Sequence, residues 1–342
     1  MSALLPFLHR VASHEHLGAE DAREAMLAIL DDKASVPQIA AFLTAMRMKS
    51  VTVEELTGFA RAMRERVRRV EVKANGTPLL DTCGTGGDGA GTFNISTIAA
   101  FVVAGAGVRV AKHGNRSLSG ICGSADILEA LGVRIVTEPA LIARCIETAG
   151  IGFLFAPALH PAMKHAQPAR LELKMRTVFN LLGPLTNPAG ASRQLIGAPS
   201  EDAAEKMAGA LAALGAEHAF VVHGSDGLDE VTTTGSTLVF EVRNGEVRRL
   251  VWQPADFSVA RASGSALLGG DRERNCAIAR AILEGAAGPQ RDIVLVNASA
   301  ALMAAGRAAT PREGVALAAE SIDAGRASET LDRLVAFTQA DN

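Results

Sequence analysis

The sequence predicts an α/β protein that joins a small all-helical domain to a larger α/β domain with a mostly parallel central sheet. Residues 1–70 carry only the periodicity of helices, and a polar, turn-rich segment at 71–78 follows them. Beyond it, strand patterns alternate with helix patterns, which is typical of parallel sheets covered on both faces. The 342 residues, of which 48% are hydrophobic and 21% charged, suit one large or two ordinary globular domains.

Three amphipathic helices are predicted before residue 70. Thr52 and Glu55 form a capping box that fixes the start of the third helix. The apolar positions that define the helices are Ala22, Met26, Ile29 and Leu30, then Ile39, Leu43 and Met46, then Leu56, Phe59, Met63 and Val67. The third helix ends in the arginines Arg61, Arg64, Arg66, Arg68 and Arg69. These are interpreted as solvated cations near a helix C-terminus, with a nucleic-acid contact as the alternative.

Strands and helices then alternate along the chain. The predicted strands are 78–81, 108–111, 133–136, 152–155, 219–222, 237–242 and 293–296. The predicted helices are 95–106, 124–131, 139–149 and a closing helix with Leu331, Leu334 and Val335. Residues 163–199 show no strand signal, so we expect them to return to the helical bundle. We therefore assign 1–72 with 163–195 to the helical domain, and 73–162 with 196–342 to the α/β domain.

Composition and charge argue against several classes of protein. A net charge of −3 gives no general attraction to nucleic acid or to an anionic membrane. The longest apolar run, 97–108, is shorter than the ~20 residues of a spanning helix, and no signal peptide is recognised. The four cysteines form no CxxC pair, which argues against a disulfide framework or a zinc site. We expect a cytoplasmic protein without nucleic-acid or membrane partners.

The glycine-rich segment 81–97 holds the densest chemistry. Five glycines lie within 84–91, and their N–H groups, unshielded by any Cβ, can close on an anion. Asn94, Ser96 and Thr97 then open a helix whose free N–H groups favour the same anion. The segment is interpreted as a phosphate cradle. Because phosphate would repel Asp88, we expect its carboxylate to meet a ribose hydroxyl, a metal-bound water or the loop's own N–H groups.

Other interpretations of this loop are weaker. It does not match a Walker A motif, because the GxxxxGK[ST] pattern is absent from the sequence. Gly84, Gly86 and Gly89 satisfy a dinucleotide fingerprint, but Lys112 ends the next strand, where a carboxylate is expected. A nicotinamide site and a purely structural turn stay open as minor alternatives.

A second polar loop, 112–120, follows the next predicted strand. Its cations Lys112 and Arg116, its hydroxyls and its glycines suit phosphate oxygens. In a parallel sheet this loop emerges beside the glycine loop, which suggests a ligand with two phosphate groups. His113 could act as an acid or base, although a positioning or stacking role is favoured.

Asp229 and Glu230 end a third cluster, 224–230, behind the predicted strand 219–222. Adjacent carboxylates repel one another unless a cation offsets their charge. Together with a diphosphate ligand they indicate Mg²⁺, which binds through few carboxylates and keeps most of its waters. A solvated acidic turn is the alternative.

Taken in order, these motifs closely resemble those of the anthranilate phosphoribosyltransferase family over nearly the whole chain. The motifs are Gly84-Thr85-Gly86-Gly87-Asp88, Asn94-Ile95-Ser96-Thr97, Lys112-His113-Gly114-Asn115-Arg116-Ser117, Gly123-Ser124-Ala125-Asp126, His160-Pro161-Ala162-Met163-Lys164, the run 176–188 and Gly227-Leu228-Asp229-Glu230. The resemblance implies the fold of nucleoside phosphorylases and this type of phosphoribosyltransferase, with a homodimer formed through the helical domains. It also implies transfer of the phosphoribosyl group from 5-phosphoribosyl 1-diphosphate to the amine of anthranilate, in tryptophan biosynthesis.

The resemblance further implies roles for individual residues. The phosphoribosyl diphosphate would be bound by Gly84, Gly87, Asp88, Thr92, Asn94, Ile95, Ser96, Thr97, Lys112, His113, Gly114, Asn115, Arg116, Ser117, Leu118, Ser119, Gly120 and Ser124. A pair of Mg²⁺ ions per monomer would be bound by Ser96, Asp229 and Glu230. Anthranilate would contact Gly84, Asn115 and Arg170, with Arg170 facing its carboxylate. No catalytic acid or base is named, because an aniline nitrogen is a nucleophile without prior deprotonation.

One departure from the family lies at Ile121-Cys122, where relatives often carry Lys-Ser or similar residues. The change removes a potential charge and hydroxyl beside the diphosphate. Two other functions remain as alternatives, a nucleoside phosphorylase-like enzyme and a non-catalytic paralogue that binds nucleic acid. Arg170 and the acidic pair argue against the first, and the near-neutral net charge argues against the second.

Overall fold

The N-terminal part of the protein is helical, as the sequence predicts. The structure is a computed structural model that describes residues 2–73, 76–87, 89–116 and 122–340. Its first helices are α1 (Leu5–Ala12), α2 (Ala19–Leu30), α3 (Val36–Lys49) and α4 (Val53–Arg66). The capping box opens α4, because Thr52 Oγ1 accepts the Glu55 N–H and Glu55 Oε2 accepts the Thr52 N–H. Val67 lies one residue beyond α4 and is only half-buried.

A single seven-stranded sheet is formed by the described residues that follow. Its strands are β1 (Leu80–Gly84), β2 (Val110–Gly114), β3 (Ile151–Phe155), β4 (Arg193–Gly197), β5 (His218–Gly224), β6 (Thr237–Arg243) and β7 (Glu246–Trp252). Their spatial order is β3-β2-β1-β4-β5-β6-β7. The pairs from β3 to β5 are parallel, and β6 and β7 extend the sheet in antiparallel fashion. The mostly parallel sheet and the α/β class are confirmed.

The remaining helices connect and cover these strands. They are α5 (Ile95–Gly105), α6 (Ser124–Ala130), α7 (Pro139–Ala149), α8 (Ala156–Leu159), α9 (Gln167–Leu173), α10 (Phe179–Leu182), α11 (Glu201–Ala213), α12 (Arg272–Leu283), α13 (Pro289–Ala304), α14 (Pro311–Asp323) and α15 (Arg326–Ala340). No helix in the described ranges combines the length and apolar character that crossing a membrane requires.

The sheet separates two hydrophobic clusters. Along β5, Phe220 and Val222 face one cluster and Ala219 and Val221 face the other, because side chains of a strand alternate between faces. Helices α5, α13 and α15 supply much of the first cluster. The second contains α2, α3, α4 and α11. Helix α11 packs directly on β5 and β6, and it also contacts α4, so the N-terminal helices join this side of the sheet through α11.

The segment 163–195 contributes to that second cluster through α9 and α10. Its buried residues there are Ala166, Ala169, Val178, Phe179, Leu182 and Leu185. One arginine at the end of α4 is not the solvated cation expected, because Arg64 Nε donates to the Leu185 carbonyl at 2.8 Å. Arg66 instead pairs with Asp31 at 2.7 Å. The Arg64 contact and the shared cluster join the segment to the N-terminal helices, and the exact domain boundaries stay a prediction.

Two of the predicted strands are wrong. Residues 133–136 form no strand, because this segment bonds to α15: the Arg134 N–H donates to Thr338 Oγ1 and its Nε donates to the Thr338 carbonyl. Residues 293–296 lie within α13, which is buried on nearly all sides. A fully buried helix reads as a continuous apolar run and cannot be told from a buried strand by periodicity alone.

Two strands were not predicted. β4 lies in the middle of the sheet, but it begins with the polar residues Arg193 and Gln194, which concealed it. β7 is an edge strand whose side chains are mostly exposed. Asn244 and Gly245 both have positive φ at the β6–β7 turn, the pattern of a two-residue hairpin. The Asn-Gly signal for this hairpin was present in the sequence.

Candidate active site at the carboxyl ends of the strands

The carboxyl ends of β1, β2, β4 and β5 carry the candidate site. β1 and β2 are parallel neighbours, so the glycine loop after β1 and the loop after β2 emerge at the same edge of the sheet. The acidic pair follows β5 and reaches the same edge, where Asp229 contacts the end of β1. The structure therefore brings the acidic cluster 224–230 to the two loops at 81–97 and 112–120, which lie more than 100 residues before it in the sequence.

Asp229 and Glu230 bind main-chain N–H groups of the glycine loop and of the start of α5. Asp229 Oδ2 accepts the Gly86 N–H at 2.7 Å, and Glu230 Oε1 accepts the Ser96 N–H at 3.2 Å. Two glycines permit this approach. A Cβ at Gly84 would lie 2.6 Å from Asp229 Oδ2, and a Cβ at Gly197 would overlap the Asp229 carbonyl. The carboxylates thus stand directly beside the glycine loop and the start of α5.

The donor set at this point suits a hard cation. The carboxylates and the Ser96 hydroxyl supply oxygen ligands, the type that Mg²⁺ prefers, and Mg²⁺ fills its remaining positions with water or substrate phosphate. Within the described ranges, no group of three His, Cys, Asp or Glu side chains forms a metal cluster. The residues therefore fit a Mg²⁺ ion that is held jointly with a phosphate ligand, and fit poorly a cage made by the protein alone.

Asp226, the remaining acid of the third cluster, has a structural role. Its Oδ2 accepts the hydroxyls of Thr232, at 2.6 Å, and Thr234, and its Oδ1 accepts the Leu228 N–H at 3.2 Å. These bonds stabilise the turn that presents the acidic pair. The three acids of the turn therefore divide into one that holds its shape and two that face the glycine loop and α5.

Lys112 is almost completely buried beneath the loops. It is 2% exposed, and its Nζ donates to the Thr82 carbonyl and, at 3.4 Å, to Ser96 Oγ. Burial lowers the pKa of Lys112, and the nearby carboxylates of Asp81 and Glu230 oppose this shift. The ammonium group thus supports the start of α5 from below, with carboxylates of the site as its counter-charges.

Asp81 is a residue of this site whose role no sequence motif indicates. Its carboxylate is fully buried and accepts the His113 N–H at 3.0 Å and Asn187 Nδ2 at 2.8 Å. Asn187 Nδ2 also donates to the Ala111 carbonyl at 2.8 Å. Burial raises the pKa of Asp81, and the hydrogen bond from Asn187 opposes this. Asp81 therefore fixes the end of β2 to the turn at Asn187, a partner 106 residues away that sequence spacing could not reveal.

His113 is held by a second histidine. Its Nδ1 lies 3.0 Å from the Gly183 carbonyl, so this nitrogen carries the proton and Nε2 is an acceptor. His160 Nε2 lies 3.2 Å from that acceptor and so donates to it, and the two rings lie 5.1 Å apart. Burial lowers the pKa of His113 to about 3 and that of His160 to about 4, so both are neutral near pH 7. With both ring nitrogens engaged, the geometry favours a positioning role for His113.

The residues after β2 differ in their surroundings. Arg116 is exposed and pairs with Asp126 at 3.0 Å and with Glu129 at 2.6 Å, so its charge is directed toward α6. Asn115 Oδ1 accepts the Arg116 N–H at 2.7 Å, which shapes the turn. The Asn115 carbonyl also accepts the Ala125 N–H at 3.2 Å, just after Ser124 at the start of α6. This loop therefore connects the end of β2 to α6.

The remaining predicted residues lie before and at the start of α5 and at the end of β2. Asn94 Nδ2 donates to the Cys122 carbonyl at 3.1 Å, and its Oδ1 accepts from Asn275 Nδ2 at 3.1 Å. Thr92 forms an isolated antiparallel bridge with Leu268. Gly114 ends β2, and Ile95 and Thr97 are buried in the first turn of α5. Asp88, Ser117, Leu118, Ser119, Gly120 and Ile121 lie outside the described residues.

Arg170 lies on α9, a helix that packs against α3. Its guanidinium stands 5.3 Å from the centre of the Phe179 ring. Burial lowers the pKa of Arg170. Within the part of the chain that the structure describes, no carboxylate pairs with this guanidinium, whose charge is thus offset only by the aromatic face.

Comparison with known proteins agrees with this architecture. Residues 5–67 match the model of a protein family described as "Glycosyl transferase family, helical bundle domain". Residues 76–328 match a second family model, described as "Glycosyl transferase family, a/b domain". The fold and the site therefore define a glycosyl transferase with a helical bundle and an α/β domain.

The relatives of the chain are more specific. An anthranilate phosphoribosyltransferase of Solibacter usitatus is 63% identical over 98% of both chains, and that of Moorella thermoacetica is 52% identical over 97% of this chain and 98% of its own. The chain belongs to the anthranilate phosphoribosyltransferase family. The Thermus thermophilus enzyme superposes with a TM-score of 0.92 at 45% identity, covering 99% of this chain and 100% of its own. The Saccharomyces cerevisiae enzyme in complex with PRPP and Mg gives 0.89 at 28% identity, over 98% of both chains.

Proposed function

We propose that this protein transfers the phosphoribosyl group of 5-phosphoribosyl 1-diphosphate to the amine of anthranilate, giving N-(5-phosphoribosyl)anthranilate and diphosphate. The observation that carries the proposal is the acidic pair, which binds the glycine loop through Asp229 and the start of α5 through Glu230. This places oxygen ligands for a cation beside two sets of N–H groups that suit phosphate. Membership of the family supplies the substrates, because its relatives carry this activity in their names.

In the proposed reaction, the bond between ribose C1 and the diphosphate oxygen breaks and a bond from the anthranilate nitrogen to C1 forms. The proton released by the amine passes to solvent. Bound Mg²⁺ would neutralise the oxygens of the departing diphosphate. The glycine loop and the start of α5 bind the donor, and Lys112 supports Ser96 from below. Arg170 grips the carboxylate of anthranilate and so orients its amine.

We further propose a pair of Mg²⁺ ions per monomer, a homodimer formed through the helical domain, and a cytoplasmic location. The yeast relative bound to PRPP and Mg supports the choice of metal. The cysteines Cys83, Cys122, Cys145 and Cys276 are all free thiols, which suits a reducing compartment. The domain division at 1–72 with 163–195 remains part of this proposal, supported as far as Leu185 by the shared hydrophobic cluster, while residues 193–195 lie in β4 of the sheet.

Loss of anthranilate fluorescence on addition of the diphosphate donor and Mg²⁺ tests this function directly. We expect turnover that is abolished by a chelator and restored by added Mg²⁺. The double variant Asp229→Asn with Glu230→Gln should lower kcat/KM by at least about 100-fold, since it removes both anionic cation ligands. Glu241→Gln is the matched control, because that carboxylate pairs with His218 at the other end of the strands, and it should retain wild-type turnover. Near-normal rates in the double variant would remove the metal assignment.

A further inference from the structure

The segment between α9 and α10 reaches the glycine loop through Arg176. Its Nη1 donates to the Gly86 carbonyl at 2.6 Å and to the Gly87 carbonyl at 3.1 Å. A Cβ at Gly87 would collide with this Nη1 atom, and the residue has a φ of +73°, a region that favours glycine. The backbone conformation at position 87 therefore favours glycine, and the absence of a Cβ leaves room for Arg176 to approach the loop.

Gly86 is held from two sides. Its N–H donates to Asp229 Oδ2 at 2.7 Å, while its carbonyl accepts from Arg176. Because the C=O and N–H of one planar trans peptide point in opposite directions, holding the Gly86 carbonyl also sets the direction of the Gly87 N–H. A glycine loop has much conformational freedom to lose when it closes on an anion, and bonds made beforehand reduce that loss.

Arg176 is itself tied to the N-terminal helices. Arg47, on α3, donates from Nη1 to the Arg176 carbonyl at 3.0 Å. An unbroken set of contacts thus runs from α3 through Arg176 and the glycine loop to Asp229. No motif in the sequence indicated it, because its partners are 129 and 90 residues away from Arg176 along the chain.

We propose that Arg176 is a positioning residue of the donor site, which holds the glycine loop in its anion-binding shape and joins it to the helical part through Arg47. This proposal rests on the proposed function only for the identity of the donor. Arg176 acts on the main-chain carbonyls of the loop, so its loss should weaken binding of the phosphate-bearing substrate and leave anthranilate recognition unchanged.

Calorimetric titration of phosphoribosyl diphosphate with Mg²⁺, in the absence of anthranilate, tests the proposal. We expect Arg176→Gln to raise Kd about tenfold, which corresponds to the loss of a charge-assisted bond to the loop. Arg176→Lys keeps a cationic donor and should recover part of the affinity. Arg47→Gln should raise Kd about threefold, since the loop contacts remain while their support is lost.

Arg109→Gln is the matched control. Arg109 also donates to two main-chain carbonyls, those of Lys73 at 2.9 Å and Thr77 at 2.6 Å, but it lies at the opposite ends of the strands. Its substitution should leave Kd within twofold of wild type. An equal rise in Kd for Arg109→Gln would show a general effect on stability and would overturn the proposal. An unchanged Kd for Arg176→Gln, or a rise in the KM for anthranilate alone, would overturn it as well.

The same measurements separate this proposal from the proposed function. A wild-type protein that binds the donor but does not consume anthranilate would reject the function, while the tenfold difference in Kd would still support the role of Arg176. A wild-type protein that consumes anthranilate, with equal donor affinity in Arg176→Gln, would keep the function and reject the positioning role.

Discussion

Arg170 is the residue whose substitution should separate recognition of anthranilate from binding of the phosphate donor. Its half-buried guanidinium stands over Phe179 and is free to grip a carboxylate with paired N–H groups. Arg170→Ala should raise the KM for anthranilate about 10- to 100-fold, as expected for one charge-assisted interaction, and leave donor affinity unchanged. Steady-state kinetics with each substrate varied in turn provide the measurement.

Arg144→Ala is the control for that experiment, because Arg144 also stands over a phenylalanine ring, 5.0 Å from the centre of Phe337, away from the strand ends. It should behave as wild type. If Arg170→Ala lost affinity for both substrates together, Arg170 would be a structural residue, and the assignment of the anthranilate carboxylate to it would fail.

The paired histidines His113 and His160 should make the protein less stable as the pH falls. Their folded pKa values, about 3 and about 4, lie below the ~6.5 of an unfolded histidine. Above pH 6.5 both states are neutral, and below it the unfolded state takes up protons that the folded state does not. The free energy of unfolding should thus fall between pH 6.5 and 4, by up to about 1.4 kcal/mol per pH unit for each histidine.

Urea unfolding at pH 8, 6 and 5 measures this dependence. In the variant His113→Gln with His160→Gln, the fall between pH 6 and 5 should be smaller than in wild type. The values at pH 8 serve as the internal control, because there only the lost contacts distinguish the proteins. Equal pH dependence in wild type and variant would contradict the neutral, buried state of the pair.

At the scale of single residues, the sequence predicted the groups whose chemistry is local. Glycines in one short loop, and two adjacent carboxylates, are visible without knowledge of the fold. Asp81, Asn187 and His160 were not predicted as site residues, because each acts through a partner that only the folded chain brings near. The signal available in the sequence for Asp81 was a carboxylate at the end of the predicted strand 78–81.

At the scale of elements, Glu55 connects the start of α4 to the helices around it. Its carboxylate pairs with Lys49 at 2.7 Å, with both side chains at most 1% exposed, and accepts the N–H groups of Leu17 and Thr52. Removing one partner leaves a buried charge unpaired, so Glu55→Ala should lower the free energy of unfolding by about 3–5 kcal/mol. Urea unfolding at pH 7 is the measurement.

Glu54→Ala is the natural comparison, since Glu54 lies in the same first turn of α4 but is exposed. Its substitution should cost well under about 1 kcal/mol, the usual range for a surface position. A loss for Glu55→Ala no larger than that for Glu54→Ala would show that the buried pair contributes little to stability.

Elements with one buried face were predicted well, because their apolar periodicity differs between helix and strand. α4 and α7 have their predicted starts. α5 is buried on nearly all sides but also has its predicted start, because its apolar run is too long for a typical strand. Elements buried on all sides, such as α13, lose that periodicity and were misassigned. β7 failed for the opposite reason, since a strand exposed on an edge has little apolar signal of its own.

At the scale of the whole molecule, the N-terminal helices and one face of the sheet share a hydrophobic cluster, and the site lies where loops of the sheet meet the segment that carries Arg176. The helical part also exposes large apolar side chains. Met48, at the end of α3, is 74% exposed, and Leu171, on α9, is 62% exposed. Helix α3 packs against α9, so these side chains belong to one region of the surface. We expect the proposed homodimer to cover these exposed apolar groups.

The proposed homodimer should therefore depend on Met48 and Leu171. Light scattering after size exclusion should give the wild type about twice the chain mass of 35.5 kDa. Met48→Glu with Leu171→Glu places carboxylates in the contact, whose desolvation opposes association, and should shift the mass toward that of one chain. Leu250→Glu with Val251→Glu removes comparable exposed apolar groups from β7 and should leave the dimer intact. A dimer that survives the first pair of substitutions and dissociates with the second would transfer the interface from the helices to the edge of the sheet.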